Sequence, residues 1–378
     1  MKRLFILGVL ALSFSALFAQ QTTVALLNHE GTISTFYGSE ALVQAHKAAA
    51  HGDVITLSGG AFTAPSSWTK AVTLRGAGCY AGADNSREVT YIGNEFKLAI
   101  PVEIETTMTI EGINFKSTFN FNTKVRNTAF LKCYFYQMAS VCRNTNFYNC
   151  VISENMEISA SANDLADINF VNCYVKDYRN TSSYASIKLT NCVVYFSNFA
   201  RNFSSGGSMD RNSSLSQYAT YRNCIFLGNR TISNSSVRMD YNIHATCTAT
   251  HCLSCYCMYT PAVDTDVETK DAIYDYNIFD NMGNNTNKYL DNEPIVEAIK
   301  SVFKTYNGTN GFSFNEFYEL TDEAKAMYIG SDGTQIGLHG GIGFSLIPST
   351  LQITKCEVAP RSTTDGKLSV KIEVGIPE

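Results

Sequence analysis

A six-residue phrase recurring through the middle of the chain constrains the fold more than any other feature. It reads Phe130-Leu131-Lys132-Cys133-Tyr134-Phe135, then Phe147-Tyr148-Asn149-Cys150-Val151-Ile152. It returns as Phe170-Val171-Asn172-Cys173-Tyr174-Val175, as Leu189-Thr190-Asn191-Cys192-Val193-Val194 and as Tyr221-Arg222-Asn223-Cys224-Ile225-Phe226. Ala249-Thr250-His251-Cys252-Leu253-Ser254 is a worn copy. Successive cysteines lie 17, 23, 19, 32 and 28 residues apart, the spacing of single solenoid coils with insertions in the longer ones. Each phrase is aromatic and β-branched with near-alternation, broken once by Asn. Asn tolerates the left-handed backbone that a sharp strand-to-strand corner needs. A corner at that point turns both the aromatic before it and the Cys after it inward. Stacking then predicts an Asn ladder at the corner and a Cys stack beside it.

That geometry bears on the thiols. Side chains stacked on parallel strands point the same way, whereas a disulfide needs Cβ atoms converging to about 3.8 Å. Cys150, Cys173, Cys192 and Cys224 are therefore expected to be free and buried as small hydrophobes. His244, Cys247, His251, Cys252, Cys255 and Cys257 invite a metal reading. Their pattern, Cys-x4-Cys-x2-Cys-x-Cys, holds one Cys-x2-Cys and not the two of a zinc module, and Cys252 belongs to the ladder, so buried thiols, with one disulfide to Cys247 as an option, are preferred and no metal is expected.

Upstream, a helix over 40–50 is expected, N-capped by Ser39 and ended by Gly52, with Leu42, Val43, His46 and Ala49 on one side. It would cover the open end of the first coil, an edge that otherwise templates aggregation. Strands are expected at 53–57, 70–75 and 108–115. The helix, His51-Gly52-Asp53-Val54-Ile55-Thr56-Leu57 and Thr69-Lys70-Ala71-Val72-Thr73-Leu74-Arg75-Gly76 together resemble the opening of pectate-lyase-like β-helices exported by Bacteroidota. The phrase Ser331-Asp332-Gly333-Thr334-Gln335-Ile336-Gly337-Leu338-His339-Gly340-Gly341 resembles their closing phrase. The likeness runs from about residue 37 to 345. It implies a single-stranded right-handed parallel β-helix and leaves activity open, since that family holds lyases, hydrolases and adhesins.

After Thr260 the repeat loosens. Asn292 and Pro294 open a possible helix bearing Ile295, Val296, Ile299, Val302 and Phe303, and 321–327 forms another, both as excursions over the solenoid or its end. Residues 351–374 read as two strands around Thr364-Asp365-Gly366, a tail too short for its own core and expected to pack on the last coil. Lys2, Arg3, the apolar run at 4–18 and Ala19 make a cleavable export signal. The organisation expected is a signal peptide at 1–19, a β-helix with N-terminal cap at 20–347 and a C-terminal β-hairpin tail at 348–378. The mature chain is expected to be secreted to the periplasm, cell surface or exterior, without membrane insertion, and monomeric.

A net charge of −5 without a basic block argues against nucleic acid. Only 17% of residues are charged, and a polar uncharged surface suits stacked strands and sugar ligands. A β-helix lyase acting on uronic acids would need a base, Arg or Lys, beside carboxylates holding Ca²⁺. The local candidates are Lys176 and Arg179 as base or clamp, with Asp177, Asp164 and Asp167 as ligands or partners. The bland alternative is a solvated surface with a loose ion pair. Tyr174, Tyr178, Tyr184 and Tyr195 fall on outward or loop positions where ring faces could stack on pyranoses. Glycoside hydrolysis lacks its facing carboxylate pairs, and His339-Gly340-Gly341 reads as turn chemistry. The sequence thus favours a non-enzymatic binder of polysaccharide or of a surface glycan or protein, with no cofactor. A polysaccharide lyase using Ca²⁺ is the alternative, and a structural surface component the third reading.

Overall fold

Each of the first five phrases turns at the residue before its cysteine. Lys132, Asn149, Asn172, Asn191 and Asn223 all sit in the left-handed region, at φ between 50° and 54°. Asn adopts this conformation at low cost because its short amide bonds locally, and one Lys takes the same place in the ladder. One coil earlier the corner residue is Gly112, at φ 68°. A Cβ there would come within 2.9 Å of the Pro348 ring, so that position also needs the missing side chain.

The computed structural model describes residues 23–83, 85, 87–101, 103–121, 125–139, 143–158, 166–176, 178–180, 185–196, 219–228, 237–241, 248–250, 253–261, 278–281, 303–305, 312–314, 318–349, 352–358 and 370–375. The architecture is an all-β, right-handed parallel β-helix with few helices. On the first face, Val54–Leu57, Thr73–Arg75, Met108–Glu111, Arg126–Leu131, Arg143–Tyr148, Ala166–Val171, Ala185–Thr190, Ala219–Arg222 and Thr248–Thr250 stack in parallel. Past the corner, the second face stacks Thr90–Ile92, Ile113–Phe121, Tyr134–Ala139, Val151–Ile152, Tyr174–Lys176, Val193–Phe196, Ile225–Gly228 and Leu253–Pro261. A short third run pairs Phe96–Leu98 with the end of Ile113–Phe121, and Met156–Ile158 with both Tyr134–Ala139 and Tyr178–Asn180.

Inside the tube, equivalent residues stack at the coil repeat. Phe130, Phe147 and Phe170 form a column with ring centroids 4.9 and 4.7 Å apart and planes within 12°. Those distances match the strand spacing, so registered stacking leaves parallel rings in contact along the whole column. Cys133, Cys150, Cys173, Cys192 and Cys224 are buried and free, as the geometry predicts. The Cys150, Cys173, Cys192 and Cys224 sulfurs each lie 3.4–3.5 Å from a carbonyl one coil back, on Phe130, Phe147, Phe170 and Leu189. Burial pushes the Cys133, Cys173 and Cys192 thiols up, so they remain protonated donors.

The first turn is closed in two ways. Helix α1 (Ala41–Ala48) buries Ala41, Leu42, Ala45 and His46, while Val43 is only half-covered. Its N-cap is Glu40 with no side-chain bond, so Ser39 does not cap it as expected; the Ser39 carbonyl instead accepts from Thr63 N–H at 3.1 Å. The other end is capped by Lys70, whose Nζ donates to the carbonyls of His46, Lys47 and Ala49 at 2.9, 2.8 and 2.5 Å. Burial, with Lys70 nearby, pulls His46 down to about 4, and the neutral ring packs tilted against Trp68 with centroids 4.4 Å apart. Asp53 ties the turn after the helix by accepting from Ala50 N–H at 2.7 Å and bonding His29 Nδ1 at 2.8 Å. The second closure, absent from the sequence reading, is an antiparallel hairpin of Val24–His29 and Thr32–Tyr37 placed on the first-face strand Val54–Leu57.

At the other end, helix α2 (Asp322–Met327) is N-capped by Thr321, whose Oγ1 accepts from Ala324 N–H at 3.2 Å, close to the expected 321–327. The helix expected after Asn292 lies outside the described residues except for Phe303, which is buried. The tail is a hairpin of Gln352–Val358 and Val370–Gly375, as expected; its turn at 364–366 lies outside the described residues. Ser349 N–H donates to Glu111 Oε1 at 2.6 Å and Lys132 Nζ to Ser349 Oγ at 3.1 Å, so the chain leaves for the tail beside early coils.

Candidate functional site

Alternation sends the residue after each cysteine outward on the second face. Tyr134, Val151, Tyr174, Val193 and Ile225 are paired in register, one per coil. They make an apolar stripe, which would be a ready platform if it were open. It is closed. Tyr174, Val151, Val193 and Ile225 are fully buried against later residues of the same chain, among them Phe303, Tyr318, Leu320 and Leu338, in a core separate from the tube interior. Tyr318 stacks on Tyr174 at 5.2 Å and Phe312 tilts against it at 5.1 Å, while Phe314 covers Tyr134 and stacks on Tyr80. Burial accordingly pushes the Tyr134 hydroxyl up.

The closing phrase holds this cover down along the corner. The Asn223 carbonyl accepts from Gly337 N–H at 2.8 Å, and its side-chain Oδ1 accepts from Ser331 N–H at 2.9 Å. One coil back, Asn191 Nδ2 reaches Asp332 at 3.5 Å. A further coil back, Asn172 Nδ2 donates to the carbonyls of Leu338 and Gly340 at 2.6 and 2.7 Å. The phrase therefore runs back along the corner ladder, one coil after another. Its glycines make this approach possible: a Cβ on Gly341 would fall 2.3 Å from Asn191 Nδ2, and one on Gly337 2.4 Å from the Ile225 side chain. Burial would raise the Asp332 carboxyl, but bonds from the Thr334 N–H and hydroxyl, with Asn191, outweigh it and hold it low.

The residues singled out from sequence divide sharply. Tyr174 and Tyr195 do face outward from the tube, but both are buried under the cover, so neither offers a ring face to an external ligand. Lys176 follows on the same face and bonds Glu154 Oε2 at 2.9 Å; the lysine side chain is 10% exposed and the glutamate 42%. Asp167 lies exposed on the first-face strand Ala166–Val171, on the other side of the Asn172 corner from Lys176. The structure therefore puts these two on different faces. Tyr178 and Arg179 belong to the third-run strand Tyr178–Asn180, while Asp164, Asp177 and Tyr184 lie outside the described residues. His244, Cys247, His251 and Cys252 lie outside them too, and Cys255 and Cys257 fall on the strand Leu253–Pro261. Among the described residues no group of three or more His, Cys, Asp or Glu could hold a metal ion, and no helix is long and apolar enough to cross a membrane.

The first face is the open one. Asn144 Nδ2 donates to Asn127 Oδ1 at 2.5 Å, and Asn169 Nδ2 to Asn146 Oδ1 at 2.9 Å, each pair spanning adjacent coils. Asn127 and Asn144 are left-handed, at φ 54° and 50°, and so form a second ladder at the start of their strands. Half-exposed Tyr148, exposed Ser186, Asp167 and Lys188, and half-exposed Thr190 complete the surface. Amide groups thus recur on adjacent coils, with one ring, Tyr148, beside them and the charges Asp167 and Lys188 on the coils that follow. The sequence reading passed over this surface, although Arg126-Asn127-Thr128 recurs 17 residues on as Arg143-Asn144-Thr145. Compared with protein-family models, curated proteins and solved structures, the chain matches none. Fold and surface define it as a parallel β-solenoid protein with one sealed and one open outer face.

Proposed function

We propose that the chain is an exported β-helix protein, of the pectate-lyase-like type found in Bacteroidota, that binds polysaccharide or a surface glycan on its first face without catalysing a reaction. The observation that carries this reading is a patch of two cross-coil amide pairs, Asn127–Asn144 and Asn146–Asn169, with the Tyr148 ring beside them, each half-exposed or exposed and none charged. Sugar hydroxyls are satisfied by amide donors and acceptors, and a ring face takes the apolar side of a pyranose. Strands stacked at about 4.8 Å repeat these groups along an axis, which suits an extended polymer. Retention on a glycan array tests the reading. Tyr148→Ala should weaken binding roughly tenfold, the equivalent of about 1.4 kcal/mol. Binding that Tyr148→Ala and Asn146→Ala both leave unchanged sinks this surface as the site.

An elimination reading has one observation in its favour, the contact of Lys176 with Glu154 on an outward position. Lyase chemistry on a uronate, with Ca²⁺ as the carboxylate-binding ion, leaves a conjugated double bond that absorbs at about 235 nm. A calcium-dependent rise on a uronic-acid polymer that Lys176→Ala abolishes would replace the binding reading. A flat trace with array retention supports it.

A further inference from the structure

The described residues leave one sheet edge open at the N-terminal end. Thr32–Tyr37 is the outermost strand of its sheet, bonded on one side to Val24–His29, with no described strand beyond it. Natural sheets usually blunt such an edge with a charge, a proline or a bulge. Thr32-Ile33-Ser34-Thr35-Phe36-Tyr37 has no charged residue and no proline, and its register with Val24–His29 is unbroken.

The hairpin fixes which main-chain groups are free. Its two-residue turn, Glu30-Gly31, has φ 48° and 86°, the doubly positive form that suits strand twist. His29 faces Thr32 across the turn, and Gly38 N–H donates to the Thr23 carbonyl at 2.8 Å. By alternation, Thr32, Ser34 and Phe36 spend their N–H and C=O groups on Val24–His29. Ile33, Thr35 and Tyr37 turn theirs to the open edge. These three side chains also share one face, and Ile33 and Tyr37 are each 64% exposed. Leu26, 38% exposed, pairs with Thr35 on the next strand and extends the patch. Phe36, of opposite parity, packs inward on the core.

We propose that this edge pairs with the same edge of a second copy, antiparallel about a two-fold axis through Thr35, joining the two first-face sheets. The edge is self-complementary in three respects. A two-fold at Thr35 sets Thr35 against Thr35, and Ile33 of each copy against Tyr37 of the other, so the free amides and carbonyls meet in hydrogen-bonded pairs. Those cross-strand partners are an aliphatic and an aromatic residue, a favourable combination on a sheet. No like charges face each other within the paired strands; Glu30 and Glu40 oppose each other only where the chain leaves the sheet, so added salt strengthens the pair. This dimer replaces the monomer expected from sequence.

The contact is small, so the association belongs to the weak class and needs sedimentation equilibrium up to roughly 1 mM protein. A reversible dimer is expected. Thr35→Pro deletes one outward N–H at the axis and none used by the hairpin, and should weaken association at least about tenfold. Cysteine scanning supplies a test that does not depend on that variant folding. Thr35→Cys places two thiols across the axis with Cα atoms about 5.5 Å apart, within reach of a short bis-maleimide, whereas Ser34→Cys points to the other face. A crosslinked dimer from Thr35→Cys and none from Ser34→Cys is the expected result. A wild-type chain that stays monomeric throughout, or equal crosslinking at both positions, overturns the proposal.

Discussion

The two outer faces of the solenoid obey the same alternation rule and end in opposite environments. On the second face the outward residues are Tyr134, Val151, Tyr174, Val193 and Ile225; on the first they include Asn146, Tyr148, Asn169 and Lys188. Val151, Tyr174, Val193 and Ile225 of the apolar row are buried against Phe303, Tyr318, Leu320 and Leu338, with Tyr134 half-buried at its margin, whereas the polar row is exposed or half-exposed. Outward, then, is a statement about the tube and not about water. A repeat that places an aliphatic or aromatic residue outward on every coil demands a cover, because a continuous exposed apolar stripe of that length is rare on soluble proteins. Here the chain supplies the cover itself, and the corner asparagines double as its anchor points.

The largest test of this contrast is to truncate one ring inside the tube and one outside it. Phe147→Ala empties part of the Phe130–Phe147–Phe170 column and should cost about 3–5 kcal/mol in urea unfolding. Tyr174→Ala should cost nearly as much, about 3 kcal/mol, since Tyr318 and Phe312 close over it. A loss within about 0.5 kcal/mol, as at an ordinary surface position, would mean the second face is open in solution. The next test cuts an anchor. Asn172→Ala strips the Leu338 and Gly340 carbonyls of their donor and should cost about 1–3 kcal/mol, with faster hydrogen exchange in 330–341. Asn146→Ala on the open face removes a solvated amide pair and should stay within about 0.5 kcal/mol. Equal effects from the two asparagines would erase the distinction drawn between the faces.

How much of this was legible in the sequence depends on the range of each interaction. The corners were, because Asn149, Asn172, Asn191 and Asn223 each mark a local backbone state that few residues tolerate. The free thiols followed from the same local rule applied coil after coil. The burial of Tyr174 was not, since it depends on Tyr318, which no periodicity links to the repeat. The helix cap was misjudged for a similar reason. Ser39 has the right chemistry for a cap, but its carbonyl is engaged by Thr63 and the far end is held by Lys70 from the next coil. The N-terminal hairpin could have been read from Glu30-Gly31 between two alternating runs, a weaker turn signal than Asn-Gly. For the candidate site, Lys176 and Asp167, drawn together by proximity in sequence, separate because the corner at Asn172 sends them to different faces.

The smallest expected effect concerns acid and the cover alone. Glu319 lies between two lysines of the covering region, Lys304 Nζ at 2.7 Å and Lys325 Nζ at 2.9 Å, and these bonds hold its carboxyl at about 2 instead of 4.5. A carboxyl with a lowered folded-state pKa contributes stability that is complete above its unfolded value and disappears as pH falls through the folded one. The window for Glu319 therefore runs from pH 4.5 down to about 2. Its neighbours are partly exposed, so the contribution is modest and screened by salt. Hydrogen exchange across that window, corrected for intrinsic rates, should show 318–328 losing protection while the first-face strands keep theirs. Glu319→Gln should make the protection of that segment insensitive to pH over the same range. If the first-face strands open in step with it, cover and tube are one cooperative unit, and the sealed face is as permanent a part of the core as the phenylalanine column.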